Sequence, residues 1–72
     1  MENEILDLIQ KYIDFKINLD SHVKLIGINS LKMMMIKWDI ERTYDVEITY
    51  EDLASVDTIR DFVKIVEKYK RN

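Results

Sequence analysis

The sequence has no cysteine and no proline, and Gly27 is its single glycine. Without cysteine there is no disulfide framework and no thiolate nucleophile, so any sulfur chemistry must arrive on an added group, and the composition fits a reducing cytosol. His22 is the only histidine, with no second histidine or cysteine at ligand spacing, so no metal site is expected and His22 reads as a surface or half-buried loop residue. No stretch approaches the roughly 18 apolar residues of a membrane span, and the start, Met1-Glu2-Asn3-Glu4, is acidic where an export signal is basic. The expectation is a soluble, cytoplasmic protein. Fourteen acidic side chains outnumber eleven basic ones, for a net charge of −3, which disfavours nucleic acid as a partner. Seventy-two residues suit one domain, 1–72, and a chain of that size buries only about 60% of its unfolded surface, which leaves no room for a deep catalytic pocket.

With so few breakers, helix ends must be set by caps and by changes of apolar phase. Ile5, Leu8, Ile9, Tyr12 and Ile13 recur at helical spacing and predict a first helix from about Glu2 to Phe15, those residues facing inward. From Ile17 to Ile26 the chain reads as a packed connector. Asn18, Asp20 and Ser21 favour turns, while Leu19, Val23 and Leu25 pin it to the core. A second helix is predicted from Ser30 to Tyr44, ended by Asp45, and Val46-Glu47-Ile48 extends briefly, too short for a sheet. Thr49 followed by Asp52, and Thr58 followed by Asp61, repeat a capping pattern that starts a short third helix at Tyr50 and a fourth from Ile59 to Tyr69. The fourth buries Ile59, Phe62, Val63, Val66 and Tyr69. Lys68-Tyr69-Lys70-Arg71 complements its C-terminal end, and Asp45, Glu47, Glu51 and Asp52 form an acidic patch that reads as a solvated surface, with a secondary docking contact as the alternative. The fold class is all-α, a small four-helix bundle with a short third helix and a long first loop.

The second helix carries the chemistry. Gly27 gives the backbone freedom for a tight entry turn, Asn29 is a good N-cap, and Ser30 falls in the first turn. The positive end of the helix dipole and its unpaired N–H groups favour a phosphate on Ser30 Oγ, although an Asn-Ser pair before a helix is by itself more often an ordinary cap. Met33, Ile36, Ile40 and Tyr44 form one apolar stripe, assigned to the core. Leu31, Met34 or Met35, and Trp38 form a second. A helix apolar on two faces is either buried all round or offers one face to a partner, and in so small a bundle the second reading is favoured. Its competitor packs Trp38 against the first helix. Met33, Met34 and Met35, with no His or Cys nearby, read as core or as a flexible contact surface, the latter suiting a protein that docks several enzymes in turn. Lys32, Lys37 and Arg42 against Asp39 and Glu41 give the helix a net charge of +1.

From Ile26 to Val66 the sequence resembles the acyl and peptidyl carrier proteins, whose hallmark is a Gly-x-Asp-Ser-Leu motif, here Gly27-Ile28-Asn29-Ser30-Leu31. Ile40 to Ile48 resembles the end of the family's second helix and the short apolar pair after it, Tyr50-Glu51-Asp52-Leu53 its third helix, and Thr58 to Val63 the start of its fourth. The resemblance implies a 4′-phosphopantetheine arm attached to Ser30 by a phosphopantetheinyl transferase using magnesium and coenzyme A. The arm's thiol is then loaded as a thioester by an adenylating enzyme and served to condensing, modifying or releasing enzymes. Asn29, Leu31, Met34, Met35, Trp38 and Arg42 become the partner-docking residues.

Two departures stand out. Asn29 replaces the usual aspartate, removing a carboxylate that would assist magnesium, and the first connection is shorter than in fatty-acid carriers. Together with the +1 second helix, where fatty-acid carriers are acidic, these point to a specialised pathway, nonribosomal-peptide-like or polyketide-like; the resemblance itself implies a non-catalytic carrier, expected to be free-standing and a monomer by default. The alternative keeps the carrier fold as a helical interaction domain without a prosthetic group. A hydrolase built from Ser30, His22 and Asp20 lacks any oxyanion loop and is set aside.

Overall fold

Apolar residues at steps of three and four place one stripe of each long helix inward, and the computed structural model, which describes residues 1–70, assembles those stripes around a single core. The helices are α1 (Glu2–Gln10), α2 (Ser30–Tyr44), α3 (Tyr50–Ala54) and α4 (Ile59–Lys70). α1 packs against both α2 and α4. Ile5 and Ile9 from α1, Ile36 and Ile40 from α2, and Ile59, Phe62 and Val66 from α4 are fully buried, each contributing about 1.5–3 kcal/mol through removal from water. Among the described residues there is no strand, only an isolated antiparallel bridge between His22 and Thr58.

α1 ends five residues before the expected Phe15. After Gln10 the backbone tightens, with Tyr12 N–H donating to Ile9 O (3.0 Å) and Ile13 N–H to Gln10 O (3.1 Å), three-residue closures in place of four. The Gln10 amide then organises the exit. Its Nε2 donates to the carbonyls of Ile13 (3.2 Å) and Phe15 (2.8 Å), and its Oε1 accepts from Ile17 N–H at 3.0 Å. Ile13 stays buried while Phe15 faces solvent, and Leu8 and Tyr12 are half-buried against the core.

The long connection is stitched to the start of α4. Ile59 and Arg60 N–H groups, which have no partner within their own helix, donate to Ser21 O (3.1 Å) and Leu19 O (2.8 Å), and Val23 N–H donates to Asp57 O at 2.9 Å. Ile17, Val23 and Ile28 are the buried anchors. Leu25 is not an anchor: it is 83% exposed, because the turn that returns Ile28 N–H to Val23 O (3.0 Å) rolls Ile26 inward and Leu25 outward. Gly27 closes that turn at φ +85°, a conformation that costs an L-residue about 1–2 kcal/mol, while the space around its Cα is open.

Beyond α2, Asp45 adopts the left-handed conformation (φ 55°) and its N–H returns to Glu41 O, stopping the helix where expected. Val46 and Ile48 turn inward and Glu47 outward. Lys68 and Lys70 lie in the last turn of α4, where basic side chains complement the helix end, and both also reach neighbouring elements. Lys70 Nζ donates to Tyr44 O, a terminal carbonyl of α2, at 3.3 Å, and Lys68 Nζ pairs with Asp52 on α3 at 3.1 Å. Arg71 lies outside the described residues.

Candidate functional site

Asn29 has extended backbone (φ −86°, ψ −177°) and its Oδ1 accepts from Lys32 N–H at 2.9 Å, while its carbonyl accepts from Met33 N–H at 2.9 Å. The cap fixes Ser30 as the first residue of α2, exposed to solvent. There the first-turn N–H groups have no intrahelical acceptor, and the dipole favours negative charge.

From Ser30 two surfaces diverge. On the outer side Leu31 (66% exposed), Met35 and Trp38 (52% exposed) follow one another at steps of four and three, with Arg42 a further turn along. Trp38 therefore does not pack away against α1. Met34 is half-buried and Met33 packs on the core, which resolves the choice between Met34 and Met35 for the outer stripe in favour of Met35. Arg42 reaches back to Asp39 at 2.7 Å, and Tyr12 O–H donates to the other Asp39 oxygen, a bond that together with burial raises the Tyr12 phenol above its ordinary range against the opposing charge of Arg42. Lys37 and Glu41 pair at 3.0 Å. With both carboxylates of α2 engaged, the outer stripe is apolar with a basic end.

On the inner side an open cleft of about 390 Å³ lies between Ser30, Met33 and Met34 of α2 and Tyr50, Leu53 and Ala54 of α3, with Lys24 also on its lining. Nothing in the local pattern marked Tyr50, Ala54 or Lys24, since the cleft exists only where two helices and the loop converge. The α3 wall is fixed from behind. Thr49 Oγ1 caps it by accepting Asp52 N–H at 3.0 Å, and the Asp52 carboxylate accepts from Tyr69 O–H and from Lys68 Nζ. Asp52 was expected to be solvated. It is instead only 16% exposed, and the Tyr69 hydrogen bond above all, then Lys68 and Thr49, holds its carboxyl down at about 2 against the opposing effect of burial.

The hydrolase arrangement does not form, since Asp20 turns to Arg60 at 3.2 Å. Among the described residues no cluster of three or more His, Cys, Asp or Glu side chains could hold a metal ion, and no helix is long and apolar enough to cross a membrane.

An exposed hydroxyl at a capped helix start, beside an open cleft, suits a phosphate-linked arm. Comparison with known families agrees: residues 3–66 match the model of the phosphopantetheine attachment site family. The chain belongs to that family. Its members bear 4′-phosphopantetheine covalently, act in general as non-catalytic carriers, and work with a phosphopantetheinyl transferase and biosynthetic enzymes. No curated protein and no solved structure matches the chain. The residues present fit the group: an exposed Ser30 Oγ on the N-terminal turn, where the helix favours a phosphodiester, with Lys24 on the same cleft as the one cation among the residues lining it.

Proposed function

We propose that Ser30 carries the arm and that residues 1–72 form one acyl or peptidyl carrier domain. The observation that supports it is the placement of Ser30, exposed on the first turn of α2, on the lining of the cleft and at the head of the Leu31–Met35–Trp38 stripe. In the transfer step Ser30 Oγ would attack the pantetheine-bearing phosphorus of coenzyme A, so that a phosphodiester to Ser30 forms as the pyrophosphate bond breaks and adenosine 3′,5′-bisphosphate leaves. The base that takes its proton belongs to the transferase, since this chain has no histidine in the motif. The bound group supplies the thiol on which acyl or aminoacyl cargo is held as a thioester.

What the chain itself contributes is orientation and docking. Asn29 holds Ser30 outward, and Leu31, Met35, Trp38 and Arg42 offer a successive set of enzymes one apolar face with a basic end, Met34 lying at its edge. Tethering then converts each later encounter into a local one. The absence of a free carboxylate on that face supports partners unlike those that read an acidic second helix, and so a specialised pathway, nonribosomal-peptide-like or polyketide-like. The proposed carrier is a cytoplasmic monomer loaded by an adenylating enzyme.

The test is intact-protein mass after incubation with coenzyme A, magnesium and a broad-specificity phosphopantetheinyl transferase, beside Ser30→Ala. The expected result is the gain of one phosphopantetheine that the variant lacks. No gain with several transferases overturns it in favour of an armless docking domain.

A further inference from the structure

Lys24, Lys32 and Lys37 are the lysines nearest to Ser30 along the chain, and they differ in what holds them. Lys37 is buried and pairs with Glu41 at 3.0 Å. Lys32 is half-buried and lies off the lining of the opening beside Ser30. Lys24 is exposed, joins none of the ion pairs among the described residues, and lines the same opening as Ser30. Its backbone is nonetheless fixed. Lys24 O accepts Gly27 N–H at 3.4 Å and the adjoining Val23 O accepts Ile28 N–H at 3.0 Å, while Val23 and Ile28 are buried on either side of the turn. A hydrogen-bonded turn thus carries an ammonium with no carboxylate partner among the described residues to the opening on which Ser30 lies.

A phosphodiester on Ser30 brings one negative charge to that opening. No carboxylate stands among the lining residues, and Asn29, beside the serine, is neutral, so nothing on the lining competes with the phosphate for Lys24. A lysine suits the task, since a flexible point charge meets a phosphate oxygen without the fixed fork of an arginine. We propose that Lys24 is the counter-ion of the arm's phosphodiester, a positioning residue that draws the base of the arm toward the connection between α1 and α2 and away from the Leu31–Met35–Trp38 stripe. Both groups are exposed, so the pair is weak and salt-sensitive, and it biases the arm without locking it. The inference rests on Ser30 as the point of attachment.

The test compares the phosphorus NMR shift of the phosphodiester in phosphopantetheine-loaded wild type, Lys24→Gln and Lys32→Gln, each confirmed by intact mass. Spectra are taken at about 10 mM and about 1 M sodium chloride, between which the Debye length falls from roughly 30 Å to roughly 3 Å. Wild type and Lys32→Gln, which has lost the same charge, are expected to move alike with salt, whereas Lys24→Gln begins near the high-salt position and stays there. In the wild type, acetylation by N-hydroxysuccinimide acetate, read by peptide mass, is expected to be about two- to fivefold slower at Lys24 in the loaded protein than in the unloaded one at low salt, the effect of an exposed ion pair, and equal at high salt. A salt response in Lys24→Gln equal to that of the wild type, one lost equally in both variants, or labelling of Lys24 that loading leaves unchanged or slows at both salt concentrations overturns the counter-ion while leaving the carrier assignment standing. Absence of any mass gain, or a gain that Ser30→Ala retains, overturns both. Should Lys24→Gln fail to fold, the wild-type labelling alone decides.

Discussion

The Asp52 carboxylate of α3 accepts the phenolic proton of Tyr69, near the end of α4, and this bond ties the outer wall of the cleft to the bundle. α3 is five residues long, too short to persist without tertiary contacts, so its position depends on Leu53 below and on Asp52 behind. Because the folded-state carboxyl sits at about 2 against an ordinary 3.8, its contribution is complete above pH 4 and is lost as pH falls toward 2. The whole shift corresponds to at most about 2–3 kcal/mol, of which about 1 kcal/mol disappears between pH 5 and pH 3. Urea unfolding at those two pH values is expected to show a drop in the wild type that is smaller by about that amount in Asp52→Asn. Equal pH dependence in the two proteins would falsify the assignment.

Asn29 holds the proposed attachment serine in place by one hydrogen bond to Lys32 N–H. Asn29→Ala is expected to cost about 1 kcal/mol, the ordinary loss on removing a cap, whereas Asn29→Asp keeps the acceptor, places a negative charge at the positive end of α2, and leaves stability unchanged or slightly raised. Ser30→Ala, at an exposed position, changes stability by no more than about 0.5 kcal/mol. Thermal melts by circular dichroism check all three, and a melted Ser30→Ala protein contradicts the placement.

The boundaries of α2 could be read from the sequence because the signals that set them are local: Asn29 caps one end and Asp45 adopts a left-handed turn at the other. The alternation at Val46-Glu47-Ile48 and the caps at Thr49 and Asp61 were legible for the same reason, Asp61 accepting the N–H groups of Asp57 (2.8 Å) and Thr58 (3.0 Å). Leu25 was misread because apolar character says nothing about which way a turn faces. The inner cleft was missed because its walls come from Lys24, α2 and α3, and no periodicity within one segment brings them together. Asp52 looked solvated for a similar reason, its partners lying seventeen and sixteen residues away.

Trp38 and Ile40 lie two residues apart on α2 and are expected to behave oppositely. Ile40 is fully buried, so Ile40→Ala opens a cavity and costs about 2–5 kcal/mol. Trp38 is half exposed on the outer stripe, so Trp38→Ala costs less than about 1 kcal/mol, and its effect falls on recognition. Denaturant melts of the two variants, paired with the rate of loading by a partner enzyme, separate the roles. A Trp38→Ala protein as unstable as Ile40→Ala removes the outer face from consideration as a docking surface.

Gln10 carries the end of α1 through three hydrogen bonds made by one amide, to Ile13 O, Phe15 O and Ile17 N–H. No glycine, proline or left-handed residue marks this helix end, which is why the apolar spacing through Ile13 suggested a longer helix. Replacement by glutamate keeps only the acceptor and sets a negative charge against two carbonyl oxygens, so Gln10→Glu is expected to be at least as harmful as Gln10→Ala. Each should cost about 1–3 kcal/mol, the range for leaving partly buried polar groups without partners. Because Ile17 is buried immediately beyond, release of the amide also loosens the start of the long connection. Amide hydrogen exchange at Ile17 should therefore accelerate in Gln10→Ala by more than it does at Phe62, whose protection reports global unfolding. Equal acceleration at both sites would mean that Gln10 contributes to the fold as a whole and does not act as a local clasp.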